Sequence, residues 1–184
     1  MDPSDPRAPR GIRWWDRQGL RGGFVAGTGF ALIELLAMGI REGQIEVDRL
    51  LRRIAAMWIG PAALAADYPF ATVAVVGTVM HFSFSALFGL IFTWLTESHL
   101  PRLVRSRRAL LATATIYGLL LWPVNVYVIA PFVGWEWFAQ ETEPAVLAAA
   151  HLCYGVLLGL YLDRNAGRRR FLISRGRLDQ SPPR

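Results

Sequence analysis

From Thr78 to Phe92 the chain reads TVMHFSFSALFGLIF, an apolar run that, with its flanks, is long enough to cross a bilayer. It carries one histidine, His81. Four-residue steps from His81 reach Ser85 and Gly89, so the three share one helical face. The phrase returns as AHLCYGVLLGLYL between Ala150 and Leu162, where His151 is followed at the same spacing by Gly155 and Gly159. At an offset of 70 residues, His81, Leu87, Gly89 and Leu90 match His151, Leu157, Gly159 and Leu160, with Phe84 opposite Tyr154 and Ser85 opposite Gly155. This spacing predicts an internal repeat of helices, each with a histidine at membrane depth.

The rest of the chain fits the same solution. Apolar runs of about 20 residues alternate with short arginine-bearing connections, which is the pattern of a multi-pass membrane protein. The expected fold is all-α: a four-helix transmembrane bundle of two helix-pair pseudo-repeats with one interfacial amphipathic helix. The predicted spans are 22–40, 70–95, 109–130 and 144–162, within a transmembrane domain of residues 22–162. Residues 1–21 form a cytoplasmic N-terminal segment, its first ten residues disordered, with Trp14 and Trp15 anchoring a short amphipathic stretch at the headgroups. Residues 163–184 form a basic cytoplasmic tail.

In the first span Gly23 and Gly27 make a GxxxG pair, and Glu34 lies seven residues beyond Gly27 on the same face. A carboxyl in hydrocarbon is costly, so Glu34 is expected to face the interior. Over 46–59, Leu50, Leu51, Ile54 and Trp58 recur at helical spacing while Asp48, Arg49, Arg52 and Arg53 supply charge. That predicts an amphipathic helix, lying in the interface or packed over the mouth of the bundle. Gly77, His81, Ser85 and Gly89 line one face of the second span. In the third, Pro123 predicts a kink, and Gly118, Trp122 and Asn125 share a face. Trp135 and Trp137 read as interfacial anchors, and Pro144 as the first residue of the fourth span. The N-terminal segment, the second connection and the tail hold 5, 4 and 7 arginines, against 4 and 0 in the first and third connections. Positive-inside then puts both termini in the cytoplasm. The lone Cys153 excludes an internal disulfide.

A set of residues carries a family likeness. His81 is followed by Phe84-Ser85, Pro101 sits in a basic connection, and Pro131, Gly134 and Trp135 follow the third span. A glutamate precedes the last span, which contains His151-Leu152 and exits at Asp163-Arg164. In these the stretch from His81 to Arg170 resembles the YagU-like family of small bacterial inner-membrane proteins. The resemblance implies a four-helix inner-membrane protein and specifies no reaction.

The candidate chemistry rests on three ionisable groups within spans: Glu34, His81 and His151. The plainest reading is a buried polar cluster of Glu34, His81, Ser85, Asn125 and His151, with Gly23, Gly27, Gly77, Gly89, Gly155 and Gly159 packing the helices. On that reading the chain is a structural or accessory subunit without a cofactor. Two alternatives stand beside it. His81 and His151 could ligate haem b axially, or join Glu34 as a two-histidine, one-carboxylate set for a transition metal. The same groups could instead relay protons or pass a small solute. No catalytic residue is expected, because the phosphate-loop, nucleophile-elbow, HExxH and GxGxxG signatures are absent from the sequence. The expected partners are anionic lipid headgroups at the basic tail and another membrane protein or a second copy of the chain, not nucleic acid.

Overall fold

The structure, a computed structural model, describes residues 14–104 and 106–178. The expected disorder of the first ten residues lies outside the described residues. Helix α1 spans Trp14–Glu42 and α2 spans Val47–Ile59. Helix α3 spans Phe70–Ser98, α4 spans Arg107–Phe132, the short α5 spans Glu136–Glu141, and α6 spans Pro144–Leu178. Single 3₁₀ turns at Pro61–Leu64 and Pro101–Val104 lead into α3 and α4.

Four of these helices are long and apolar enough to cross a membrane. Their outward faces carry Phe24, Leu32, Leu36, Val75, Val79, Ile116, Leu120 and Val128, all exposed. Helices apolar on the outside as well as the inside need a hydrocarbon surround. The chain is a membrane protein with an all-α four-helix bundle. Two helices run past the apolar windows expected of them. Helix α1 already starts at Trp14 and α6 continues to Leu178, since the arginine-rich flanks are good helix formers and contain no proline.

Small residues decide which helices touch. A Cβ placed on Gly23 would run into the backbone of Ser85 and Ala86, and one on Gly89 into Gly19 and Gly23, so α1 and α3 meet backbone to backbone. On the other side, Gly118 abuts Gly155 and Gly155 abuts Ala114 and Gly118, so α4 and α6 meet in the same way. Helix α1 also lies along α6, where Gly22 receives Leu158 and Tyr161 and Gly29 receives Leu157. The order is therefore α3–α1–α6–α4. Helices α3 and α4 make no comparable backbone approach among the described residues. Side chains bridge them: the Tyr117 hydroxyl donates to the Phe88 carbonyl at 2.8 Å, and the Phe92 and Tyr117 rings lie 5.1 Å apart.

Gly77 parts company with the rest of its ladder. It faces the backbone of Leu51, so α2 packs across the first turns of α3 while Ser85 and Gly89 face α1. Helix α2 thus covers the mouth of the bundle, burying Leu50, Ile54, Ala55 and Ala56, with Trp58 exposed. Arg52, one of the residues that supply charge to this helix, is buried. Its guanidinium donates to the carbonyls of Ala65 at 2.6 Å and Tyr68 at 3.0 Å, and to Asp48 at 2.9 Å. Those carbonyls belong to the irregular turn before α3 and have no regular ladder, so the guanidinium supplies what a helix would have.

Pro123 does not simply kink α4. It is followed by a π-helical segment, Val124–Ile129, in which the Ala130 amide bonds back to the Asn125 carbonyl. The helix ends at Gly134, whose φ of 80° closes a cap in which the Trp135 amide reaches the Ala130 carbonyl at 2.7 Å. This turns Trp135 inward against Phe84, with ring centroids 6.3 Å apart, and Trp137 against the cluster under α2. Trp135 and Trp137, expected as interfacial anchors, both pack against the bundle while staying partly exposed.

Gly155→Leu should cost at least the about 1–3 kcal/mol of an overpacked core, because the obstructing atoms are backbone. Ala149→Leu, on an exposed face of the same helix, should be silent. Thermal unfolding of both variants in mild detergent checks this.

Candidate functional site

The wide seam between α3 and α4 is filled differently at its two ends. Toward the Arg107 end, Leu110, Ala114, Phe92, Leu158 and Leu162 form a closed core. Toward the end covered by α2 and α5 the seam opens into a chamber of about 340 Å³. Its walls are largely apolar: Phe88 and Ile91 from α3, Leu121 and Ile129 from α4, Ile54 and Met57 from α2, with Trp135 and Phe138 beyond the Gly134 turn. Glu34, His81, Ser85, Asn125 and His151 all line it. Four helices bring these five side chains to one space.

Each polar bond in the wall joins two helices or closes a turn. His81 Nε2 donates to the Gly27 carbonyl at 2.8 Å, tying α3 to α1. Ser85 Oγ donates to the His81 carbonyl at 2.7 Å, within α3. The Tyr154 hydroxyl donates to the Ser85 carbonyl at 2.6 Å, tying α6 to α3. His151 Nδ1 lies 2.8 Å from the Leu147 carbonyl, which can only accept, so Nδ1 bears the proton. In the neutral ring Nε2 is then an acceptor, and it takes a hydrogen from Asn125 Nδ2 at 3.1 Å. The π-helical segment after Pro123 holds Asn125 in register for this bond, as such segments often do at functional positions. Trp122, expected on the Asn125 face, stands against Tyr127 instead, its indole nitrogen buried with no hydrogen-bond partner among the described residues.

Haem or metal ligation does not fit these residues. His151 has both ring nitrogens engaged and His81 has Nε2 engaged. Phe30 packs against both imidazoles, edge-on to His151 with centroids 4.8 Å apart and tilted to His81 at 5.9 Å, and takes up space that a macrocycle held by both would need. No set of three His, Cys, Asp or Glu side chains able to hold a metal ion is gathered among the described residues, so Glu34, His81 and His151 line one chamber without forming a coordination set.

Glu34 is buried, yet its carboxyl makes no hydrogen bond or ion pair within 4 Å among the described residues. It lies at a boundary. With Arg53 and Leu147 it lines both the chamber and a second, polar cavity of about 200 Å³ nearer the covered end. That vestibule also holds Arg41, Glu42, Arg49 and Glu143. Arg53 is the positive charge acting on Glu34, across a gap too wide for a salt bridge.

Phe30, Arg53, Tyr117 and Tyr154 are the wall and seam residues that the sequence did not single out. For Tyr154 a signal existed in its alignment with Phe84, which suggested a paired position but not a hydroxyl bond across the bundle. Comparison of the chain with family models, with curated proteins and with solved structures finds no match.

Replacing Asn125 with Leu, His151 with Leu, and both together should give a coupling near the about 0.6 kcal/mol average of interhelical hydrogen bonds in membranes, and no more than about 1.7 kcal/mol. A double-mutant cycle on unfolding in detergent reads it, and additive losses would show that the bond contributes nothing.

Proposed function

We propose that the chain is an accessory inner-membrane protein that receives a small, mainly apolar molecule in the chamber between α3 and α4. The observation that carries this reading is the chamber itself. It has the size of the smaller ligand pockets, about 300 Å³ upward, and an apolar wall with few polar groups. His81, Asn125 and His151 are bonded to other helices and Ser85 to its own, which leaves Glu34 and Arg53 as the unbonded ionisable groups of the wall among the described residues. Nothing in it is set up as a nucleophile with an activating base.

The relay reading has less support. Below the chamber the Thr93 and Thr96 hydroxyls bond carbonyls of their own helix, and buried Gln18 accepts from the Tyr161 hydroxyl at 3.4 Å. Around them Phe92, Leu158 and Leu162 are fully buried. No hydrogen bond links these polar groups to Glu34, His81 or His151 among the described residues.

The same proposal includes the orientation, with both termini cytoplasmic, the vestibule on the far side and anionic lipid at the basic tail. The arginine distribution supports it. It includes membership of the YagU-like family, supported by His81, Phe84-Ser85, Pro131, Gly134, Trp135 and His151. It also includes descent from a helix-pair repeat. For this last point the support is geometric: Gly27 meets Ser85 and Gly118 meets Gly155, and Ser85 and Gly155 are the residues that the offset of 70 aligns.

The test is to fill the chamber. Ala130 is buried in its wall. Ala130→Leu should leave thermal stability unchanged or raised, because it enters a void, and should lower the uptake of a photoreactive alkyl probe in nanodiscs. A loss of about 1–3 kcal/mol, the cost of overpacking, would mean that there is no void to fill. Orientation is read separately: a C-terminal reporter active only in the periplasm should stay dark.

A further inference from the structure

We infer that the chamber and the vestibule together form one site for a single-chain amphiphile with an anionic head, a carboxylate or a phosphate monoester, with Arg53 as its head-group receptor. The inference rests on the chamber's being a ligand site, and it adds what the ligand is. Glu34, Arg53 and Leu147 line both cavities, so these residues stand at a change of polarity. On one side lie charged residues, and on the other the apolar wall from Ile54 to Ile91. From His81 to Ile91 this wall follows about 15 Å of helix, the reach of a medium-length acyl chain.

Charge complementarity sets the sign of the head. Three guanidiniums line the vestibule. Arg41 is closed onto Glu143 at 2.9 Å, and Arg49 is closed onto Glu42. Arg53 makes no hydrogen bond or ion pair within 4 Å among the described residues, although it is half-buried beside Glu34. A guanidinium with open donors at the mouth of an apolar chamber suits a planar carboxylate or a phosphate held by two parallel bonds. Glu34 stands opposite and competes with such an anion for Arg53. The two residues therefore have opposite expected effects. The membrane supplies the same geometry to any amphiphile, with the head at the interface and the chain inward.

The experiment measures binding of four probes to the full-length protein in phosphatidylcholine nanodiscs: dodecanoate, dodecyl phosphate, dodecanol and dodecylammonium. At least one anionic probe should bind about tenfold or more tighter than dodecanol, the worth of one hydrogen bond to a charged group. Arg53→Gln should erase that preference, bringing the anionic probes to the affinity of dodecanol in the same variant, Arg53→Lys should retain part of it, and Glu34→Gln should tighten the anion. Tight dodecanoate with weak dodecyl phosphate identifies a fatty-acid-like ligand, and the reverse identifies a lipid phosphate. Both results support the inference. Equal binding of dodecanol and both anions, or an anion preference untouched by Arg53→Gln, overturns the anionic head while leaving the chamber as a ligand site. A preference for dodecylammonium that Glu34→Gln removes overturns it in favour of a cationic head. If no probe binds, and a diazirine-bearing chain labels none of Ile54, Leu121 or Ile129, the chamber reading fails as well.

Discussion

The close backbone contact of two helix pairs is the constraint on which the bundle depends. In hydrocarbon, apolar side chains gain nothing by leaving lipid for protein, so helices associate where backbones can approach closely. Gly19, Gly23 and Gly89 allow this for α1 and α3, and Ala114, Gly118 and Gly155 for α4 and α6. Gly22 and Gly29 then admit large side chains of α6 into α1, joining the pairs. The fourth seam, between α3 and α4, shows no such backbone approach among the described residues. Helices α3 and α4 are held apart, and aromatic side chains or a void must occupy what remains. Tyr117 and Phe92 fill the Arg107 end.

Polar groups inside the bundle follow from the same geometry. Carbonyls of one helix become the partners of buried donors on another, both in the close α1–α3 seam and across the wider space of the bundle. His81 uses that of Gly27, Tyr154 that of Ser85, and Tyr117 that of Phe88. Buried polar side chains thus serve as ties between helices, each worth little alone. Together they fix the rotation of each helix about its axis, which apolar packing leaves loosely specified. Asn125 and His151 extend the scheme to α4, where the shifted register after Pro123 makes a side-chain pair rather than a backbone one.

Much of this architecture was legible in the sequence because it is periodic. Hydrophobic runs located the spans, and the four-residue ladders located Gly23, Gly27, Gly89, Gly155 and Gly159. Periodicity identifies a face, but it does not say which helix that face will meet. Gly77 belongs to the ladder of Ser85 by spacing, yet it packs on α2. Tryptophan at a helix end normally marks the interface, but the Gly134 turn sends Trp135 into the chamber wall. The burial of Arg52 depends on carbonyls more than a dozen residues away that lack a ladder of their own. Phe30 offered no signal at all, since a phenylalanine in an apolar run is the commonest thing there. Arg53 was visible only as one charge among several, because its open donors are apparent only after Arg41 and Arg49 have found their partners.

The void also has an energetic meaning. Wall atoms that face open space forgo the dispersion contacts of a packed interior. The small-residue seams lie between the other helix pairs and bring no backbone of α3 against α4. Nor do the covering helices fill the chamber: α2 is pinned above the mouth by Arg52, and α5 follows from the Gly134 turn. Water gains little in a chamber whose polar atoms are mostly bonded already. An apolar chain drawn from the membrane restores the lost dispersion contacts at no cost in desolvation. On this argument the occupant is a fifth component of the packing, and Arg53 decides which kind of chain is retained.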